Sequence, residues 1–396
     1  MPRDRLRLGF VVPRYGPEIV GGAETLARGF AEKLPVDRFE VEVLTTCARD
    51  HHTWTNVLPS GEERSGAVTV RRFAVSARDV ARFLAIQQRM SEGFPLELEE
   101  ELAWAEGSVN SEDLYDYLHA ERERFSALIF LPYLFGTTLL GTQIDPARSV
   151  LIPCLHDEPF AYLRVVRHLF RSVRAVLFNS APERSLARRL YGGPREAPVV
   201  GFGFDPVEPA KEASRSFRSR YGIDGDYLLY FGRKEGGKNL PLLLECFRAC
   251  RDAGRGLSLV VAGDGSVDAS AGIDGLVDLP RLSEDEKNAA CAGALAVCQP
   301  SVNESFSIVL MEAWLQETPA LVNARCPVTC HHVALSNGGL YFNDTTEFAA
   351  EVEYLRVHRD DRRELGRQGR RYVVENYSWP AVLGRFERAL HAVLEN

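Results

Sequence analysis

Residues 294–317 read ALAVCQPSVNESFSIVLMEAWLQE, and the order of chemistries along them decides the fold. Residues 294–298 are apolar and with Gln299 have the length of one buried strand. Pro300 has no N–H to give a sheet ladder and ends it. Asn303, Glu304, Ser305 and Ser307 make a polar loop around Phe306, and residues 308–316 return to helical spacing. The N–H groups around Phe306, Ser307 and Ile308 would stand at the helix start, where backbone donors and the helix dipole favour phosphate or sugar oxygens. Glu304 precedes this helix and Glu312 lies within it, at most about 12 Å apart if the stretch is wholly helical.

The same alternation runs outward in both directions. Strand-like runs fall at 6–12, 41–45, 68–73, 127–131, 150–153 and 175–179, then at 227–231, 257–262, 275–279, 294–299, 320–323 and 339–342. Amphipathic helical stretches separate them, which predicts parallel sheets covered on both faces. A chain of 396 residues exceeds what one core usually serves. Residues 203–224, polar and holding Pro206 and Pro209, read as a linker with one short helix. The expected architecture is α/β with two doubly wound, Rossmann-like domains. The first is 1–204, completed by a C-terminal helix at 378–396, and the second is 205–377. Ligands of such domains sit at the carboxyl ends of the strands, so a cleft on which the two face each other is the expected substrate site. Residues 78–123 carry few strand signals and read as helical decoration, with an acceptor-binding lid as the functional alternative.

Charge and composition exclude several classes. The net charge of −8, from 47 basic and 55 acidic residues, argues against a nucleic-acid partner. The first apolar run is too short for a signal segment, and the tract 127–140 is broken by Pro132 and Gly136. These features predict a cytoplasmic protein, with peripheral contact at the inner face of a membrane left open by the basic amphipathic stretch 160–174 (Arg164, Arg167, His168, Arg171 and Arg174). The eight cysteines lack zinc-ribbon spacing and read as buried thiols; the doublets His51-His52 and His331-His332 read as loop residues, and no metal site is expected.

Three further motifs carry chemistry. Gly21-Gly22-Ala23-Glu24 follows the first strand and opens a helix at 25–34; it suits an anion, or else a strand-to-helix turn needing positive φ. It is not the dinucleotide Gly-x-Gly-x-x-Gly fingerprint. Gly232-Arg233 ends a strand and Lys238 follows across Gly236 and Gly237, two cations that suit a diphosphate leaving group. His156 emerges at a strand's carboxyl end beside Asp157 and Glu158.

With these motifs in this order, together with Phe178-Asn179-Ser180, 201–205 and Ala262-Gly263-Asp264-Gly265, the chain resembles glycosyltransferase family 4, a retaining family of GT-B fold. The resemblance implies that a nucleotide-diphosphate sugar, UDP- or GDP-linked, is the co-substrate and that no cofactor is needed. It implies that Arg233 and Lys238 hold the pyrophosphate, Glu304 the donor sugar and Glu312 the ribose, with His156 near the reacting sugar. Gly22 and Gly232 would line the phosphates, and the base would rest near Pro280, Arg281 and Leu282. The acceptor would be a glycan, a lipid-linked species or a small molecule, bound on the N-terminal side. The loop after Glu304 reads Ser305-Phe306-Ser307 where the family usually carries glycines, and 326–332 replaces a Gly-containing loop. A sugar-nucleotide epimerase of the same architecture and a non-enzymatic sugar-binding protein are the alternatives. A nucleotide-linked dehydrogenase is disfavoured by the missing fingerprint.

Overall fold

In the computed structural model the apolar runs become two sheets, one in each of two units: Met1–Gly203 with Trp379–Asn396, and Phe204–Ser378. The structure describes residues 5–19, 21–192, 197–252, 256–267 and 272–395.

The first unit holds β1 (Leu6–Val11), β2 (Phe39–Thr46), β3 (Gly61–Ser65), β4 (Val68–Phe73), β5 (Ala127–Phe130), β6 (Ser149–Leu151) and β7 (Ala175–Val176). Their order is β3-β4-β2-β1-β5-β6-β7. All pairs are parallel except β3–β4. β3 is absent from the sequence expectation because its residues, Gly-Glu-Glu-Arg-Ser, carry no apolar face. It forms by antiparallel pairing at the sheet edge and by ion pairs from Glu62 to Arg71 and from Glu63 to Arg72. β7 is shorter than expected because the chain changes partner beyond it: Phe178 donates to the Pro198 carbonyl at 2.9 Å and accepts from the Val200 N–H at 2.8 Å, and the Asn179 N–H goes to the Glu183 carboxylate. Residues 78–123 are helical: Val80–Ser91, Leu98–Gly107 and Glu112–Glu121.

The basic stretch 160–174 contributes the helix Arg164–Ser172, whose Val166, Leu169 and Phe170 are buried. Glu101, itself buried, accepts from the Arg164 side chain at 2.9 Å and the Val165 N–H at 3.0 Å. That helix is therefore packed on its apolar side and tied at its start. Among the described residues no helix is long and apolar enough to cross a membrane.

The second unit holds β8 (Asp226–Phe231), β9 (Leu257–Ala262), β10 (Leu276–Leu279), β11 (Ala296–Gln299), β12 (Ala320–Asn323) and β13 (Gly339–Phe342). The order is β10-β9-β8-β11-β12-β13, parallel throughout. Along β8, Leu228 and Tyr230 enter one buried cluster while Tyr227, Leu229 and Phe231 enter the other. This is the alternation of a strand covered on both faces. All eight cysteines are free thiols, six of them buried.

The last helix, Trp379–Glu395, completes the first unit. Phe386 packs against Phe30 with tilted rings, centroids 4.7 Å apart, and Trp379 meets Phe30 edge-on at 5.7 Å. Trp379 lies so close to the helix Gly22–Lys33 that a Cβ on Gly29 would stand 2.2 Å from its ring. Gly29→Ala should therefore overpack this contact and cost about 1–3 kcal/mol of stability. Denaturant unfolding measures it; an unchanged midpoint would contradict the tight docking of the final helix.

Candidate functional site

The strand order of the second unit reverses between β8 and β11, and the loops leaving these two strands diverge there. Such a switch point is where open α/β sheets leave a ligand crevice. The loop after β8 carries Gly232, Arg233 and Lys238, and the loop after β11 carries Glu304, Phe306 and Ser307. Lys238 Nζ lies 2.8 Å from Glu304 Oε1, with the Glu304 side chain only 9% exposed. The loops are also stitched through the Pro300 carbonyl, which accepts from Asn239 Nδ2 at 3.1 Å and Asn323 Nδ2 at 2.9 Å. Asn239 reaches it from the left-handed conformation, at φ 55°.

The two cations proposed for a diphosphate are not equivalent. Lys238 is half-buried against Glu304, whereas Arg233 is exposed and paired with Glu235 at 3.0 Å. A third cation between them, Lys234, has a side chain only 2% exposed and serves the scaffold. Its Nζ pairs with Asp278 at 2.7 Å and donates to the Leu279 carbonyl at 2.6 Å. Sequence reading could not separate these three, because burial depends on which side of the loop each faces. Gly263, in the loop after β9, would place a Cβ 1.9 Å from the Gly232 carbonyl oxygen, so only glycine lets these two backbones touch.

Ser307 caps the helix Ile308–Leu315 from the left-handed region, φ 72° and ψ 79°. The Phe306 ring is buried, packed edge-on against Tyr377 at 4.9 Å and His332 at 5.1 Å. It anchors the loop, so a ligand could meet only the Phe306 backbone. Glu312 stands on the same helix and takes Lys287 Nζ at 2.7 Å, a partner supplied by the helix Glu284–Gly293. Burial raises the Glu312 carboxyl, with Lys287 opposing. Arg281 is exposed and Leu282 half-buried in the turn entering that helix, which Ser283 caps.

His331 and His332 are not loop residues. Cys326 and Pro327 start a helix, Pro327–Ser336, that carries both; Pro327 sits in its first turn, where its missing N–H costs nothing. His332 is fully buried, with Nδ1 2.9 Å from the Tyr372 hydroxyl.

In the first unit, His156 Nδ1 is 3.8 Å from Glu158 Oε1, which accepts from the Tyr133 hydroxyl at 2.7 Å. The loop before His156 is held by buried Glu183, whose two oxygens accept the N–H groups of Leu155 at 2.6 Å and Asn179 at 2.5 Å. Burial pushes that carboxyl up to about 8, against the pull of these donors. Gly22 is exposed in the first turn of its helix. The preceding Gly21 does not need positive φ, as the sequence had suggested; at φ 167° it is extended. Its glycine is required because a Cβ would stand 2.1 Å from Glu24 Oε2, and that buried carboxylate pairs with Arg14. His51 and His52 join Asp50 with their potential ligand atoms within 4.8 Å. Asp50 Oδ2 already accepts from His52 N–H at 3.0 Å and the Thr53 hydroxyl at 2.8 Å, which accounts for its position.

Residues 215–372 match the family model of glycosyl transferases group 1. The group 1 segment spans β8 through β13 and so contains Arg233, Lys238, Glu304, Ser307 and Glu312. Solved structures extend the likeness over both units. Sucrose-phosphate synthase from Thermosynechococcus elongatus is 16% identical, with 98% of this chain and 100% of that one covered at a TM-score of 0.72. Anabaena HepE, solved in complex with UDP and glucose, is 14% identical over 98% and 100%, also at 0.72. The α,α-trehalose 6-phosphate synthase of Burkholderia multivorans is 13% identical over 99% of each chain, at 0.70. At these identities the likeness is one of fold, that of the GT-B glycosyltransferases. No curated protein matches the chain.

The buried His332 gives the second unit a pH dependence. Burial drives its imidazole from 6.5 down to about 3, with His331 adding to the effect. The unfolded chain takes up this proton near 6.5 and the folded one does not, so stability is full above that pH and falls as pH drops. Between pH 7 and pH 5 the loss is about 2 kcal/mol. Glu183 and Glu351, whose carboxyls burial raises to about 8 and about 7, shift stability the opposite way over this range. The effect is therefore read as a difference: urea unfolding at the two pH values should show the parent losing about 2 kcal/mol relative to His332→Asn, and an equal change in both would contradict the assignment.

Proposed function

We propose that the protein is a retaining, metal-independent glycosyltransferase. It moves a sugar from a nucleotide-diphosphate sugar to an acceptor hydroxyl in glycan, polysaccharide or glycolipid biosynthesis. The observation that carries the reading is the Lys238–Glu304 pair at the strand-order switch of the group 1 segment. It puts a cation suited to a leaving phosphate next to a carboxylate suited to sugar hydroxyls. UDP in complex with the fold relative HepE makes a uridine donor the first to test.

Lys238 and Arg233 neutralise the pyrophosphate as the bond to the sugar lengthens, and the first N–H groups of the helix Ile308–Leu315 add donors to it. Glu304 orients the sugar hydroxyls. Glu312, with Lys287 on one oxygen, keeps its other oxygen to accept from the ribose, and the base rests by Arg281 and Leu282. Charge concentrated on the leaving group lets the anomeric bond break early. The departing phosphate oxygen then takes the acceptor's proton on the same face, so the product keeps the donor's anomeric configuration. His156 steadies the sugar or its transition state.

Turnover should survive excess EDTA, because two side-chain cations rather than a metal meet the phosphates; loss of activity restored by magnesium would sink this part. Arg233→Ala and Lys238→Ala should each lower kcat by roughly 10²–10³, while Glu312→Ala should mainly raise the donor KM. Proton NMR of the first product from an α-linked gluco donor should show a small anomeric coupling. A β-linked product would overturn the mechanism.

A further inference from the structure

Gln299 is the last residue of β11, 4% exposed, and none of the motifs above includes it. Its side chain divides its polar atoms between two tasks. Oε1 accepts from Ser301, at 2.9 Å from the hydroxyl and 3.4 Å from the N–H. Nε2 donates to Ser307 Oγ at 3.2 Å and reaches Glu304 Oε1 at 3.5 Å. One amide therefore spans the whole loop from its first residue to the helix cap.

Ser307 is where such a tether matters. At φ 72° it occupies a region that suits glycine and strains a residue with a Cβ. A side-chain bond that exists only in this conformation offsets that strain. Ser307 is 4% exposed, and because its oxygen accepts from Gln299, its own proton stays available as a donor. We propose that Gln299 is a positioning residue, holding Ser307 left-handed so that its hydroxyl and the helix start face the donor pyrophosphate. The inference rests on the glycosyltransferase reading for the ligand, though not for the tether.

The coupling makes it testable. With glycine at position 307 the conformation needs no support, so loss of the Nε2 donor should matter far less. Gln299→Met conserves volume and removes the donor; it also removes the acceptor for Ser301, a loss common to both backgrounds. Hydrogen exchange of amides 303–308 is read first, without ligand. Gln299→Met should speed exchange about tenfold more in the parent chain than in the Ser307→Gly background, as expected for one buried hydrogen bond. UDP affinity by titration calorimetry should follow the same pattern. Equal effects of Gln299→Met in both backgrounds, in exchange or in affinity, would overturn the inference and mark Gln299 as a general support of β11. Failure of the parent chain to bind any nucleoside diphosphate, with the exchange coupling intact, would instead overturn the function reading.

Discussion

The Lys238–Glu304 ion pair is the contact on which the rest of the second unit's site depends. Each charge sits where water is partly excluded, and removing either would leave the other uncompensated. The pair closes the gap between loops that leave β8 and β11, and the Asn239 and Asn323 bonds to the Pro300 carbonyl hold the same gap from below. Sheet order, loop length and side-chain charge thus converge at one place. Phe306 packs into Tyr377 and His332 beneath it and fixes the depth at which Glu304 and Ser307 emerge.

The first unit repeats the strategy with different chemistry. A buried carboxylate, Glu183, gathers the N–H groups of Leu155 and Asn179, and so sets the turn from which His156 projects. Another, Glu24, pairs with Arg14 and presses against Gly21. In both units a side chain buried beneath a loop, rather than the loop itself, determines where the candidate groups point. This is how a strand's end can present a polar residue without leaving backbone donors unpaired.

Much of this was legible in the sequence. Strands β4, β9, β12 and β13 fall on residues 68–73, 257–262, 320–323 and 339–342, as expected, because short, mainly apolar runs bounded by turn residues have few other uses. Polar β3 was not legible, since only its partner strand makes it a strand. Within the site, Lys238 and Glu304 were each singled out by their motifs, but not as partners of one another. Lys234, Lys287 and Gln299 were not singled out, because their roles depend on burial and on partners far away in sequence. The histidine doublet at 331–332 misled for a related reason: nothing local distinguishes a helix that buries one ring from a loop that exposes both.

The most direct test is to titrate the protein with UDP and with UDP-glucose, comparing the parent chain with Lys238→Ala and Glu304→Ala. If Lys238 meets the pyrophosphate and Glu304 the sugar, Lys238→Ala should weaken both ligands by about tenfold or more. Glu304→Ala should weaken UDP-glucose while leaving UDP unchanged or tighter. Equal weakening of both ligands by Glu304→Ala, or no effect of Lys238→Ala on either, would contradict the account.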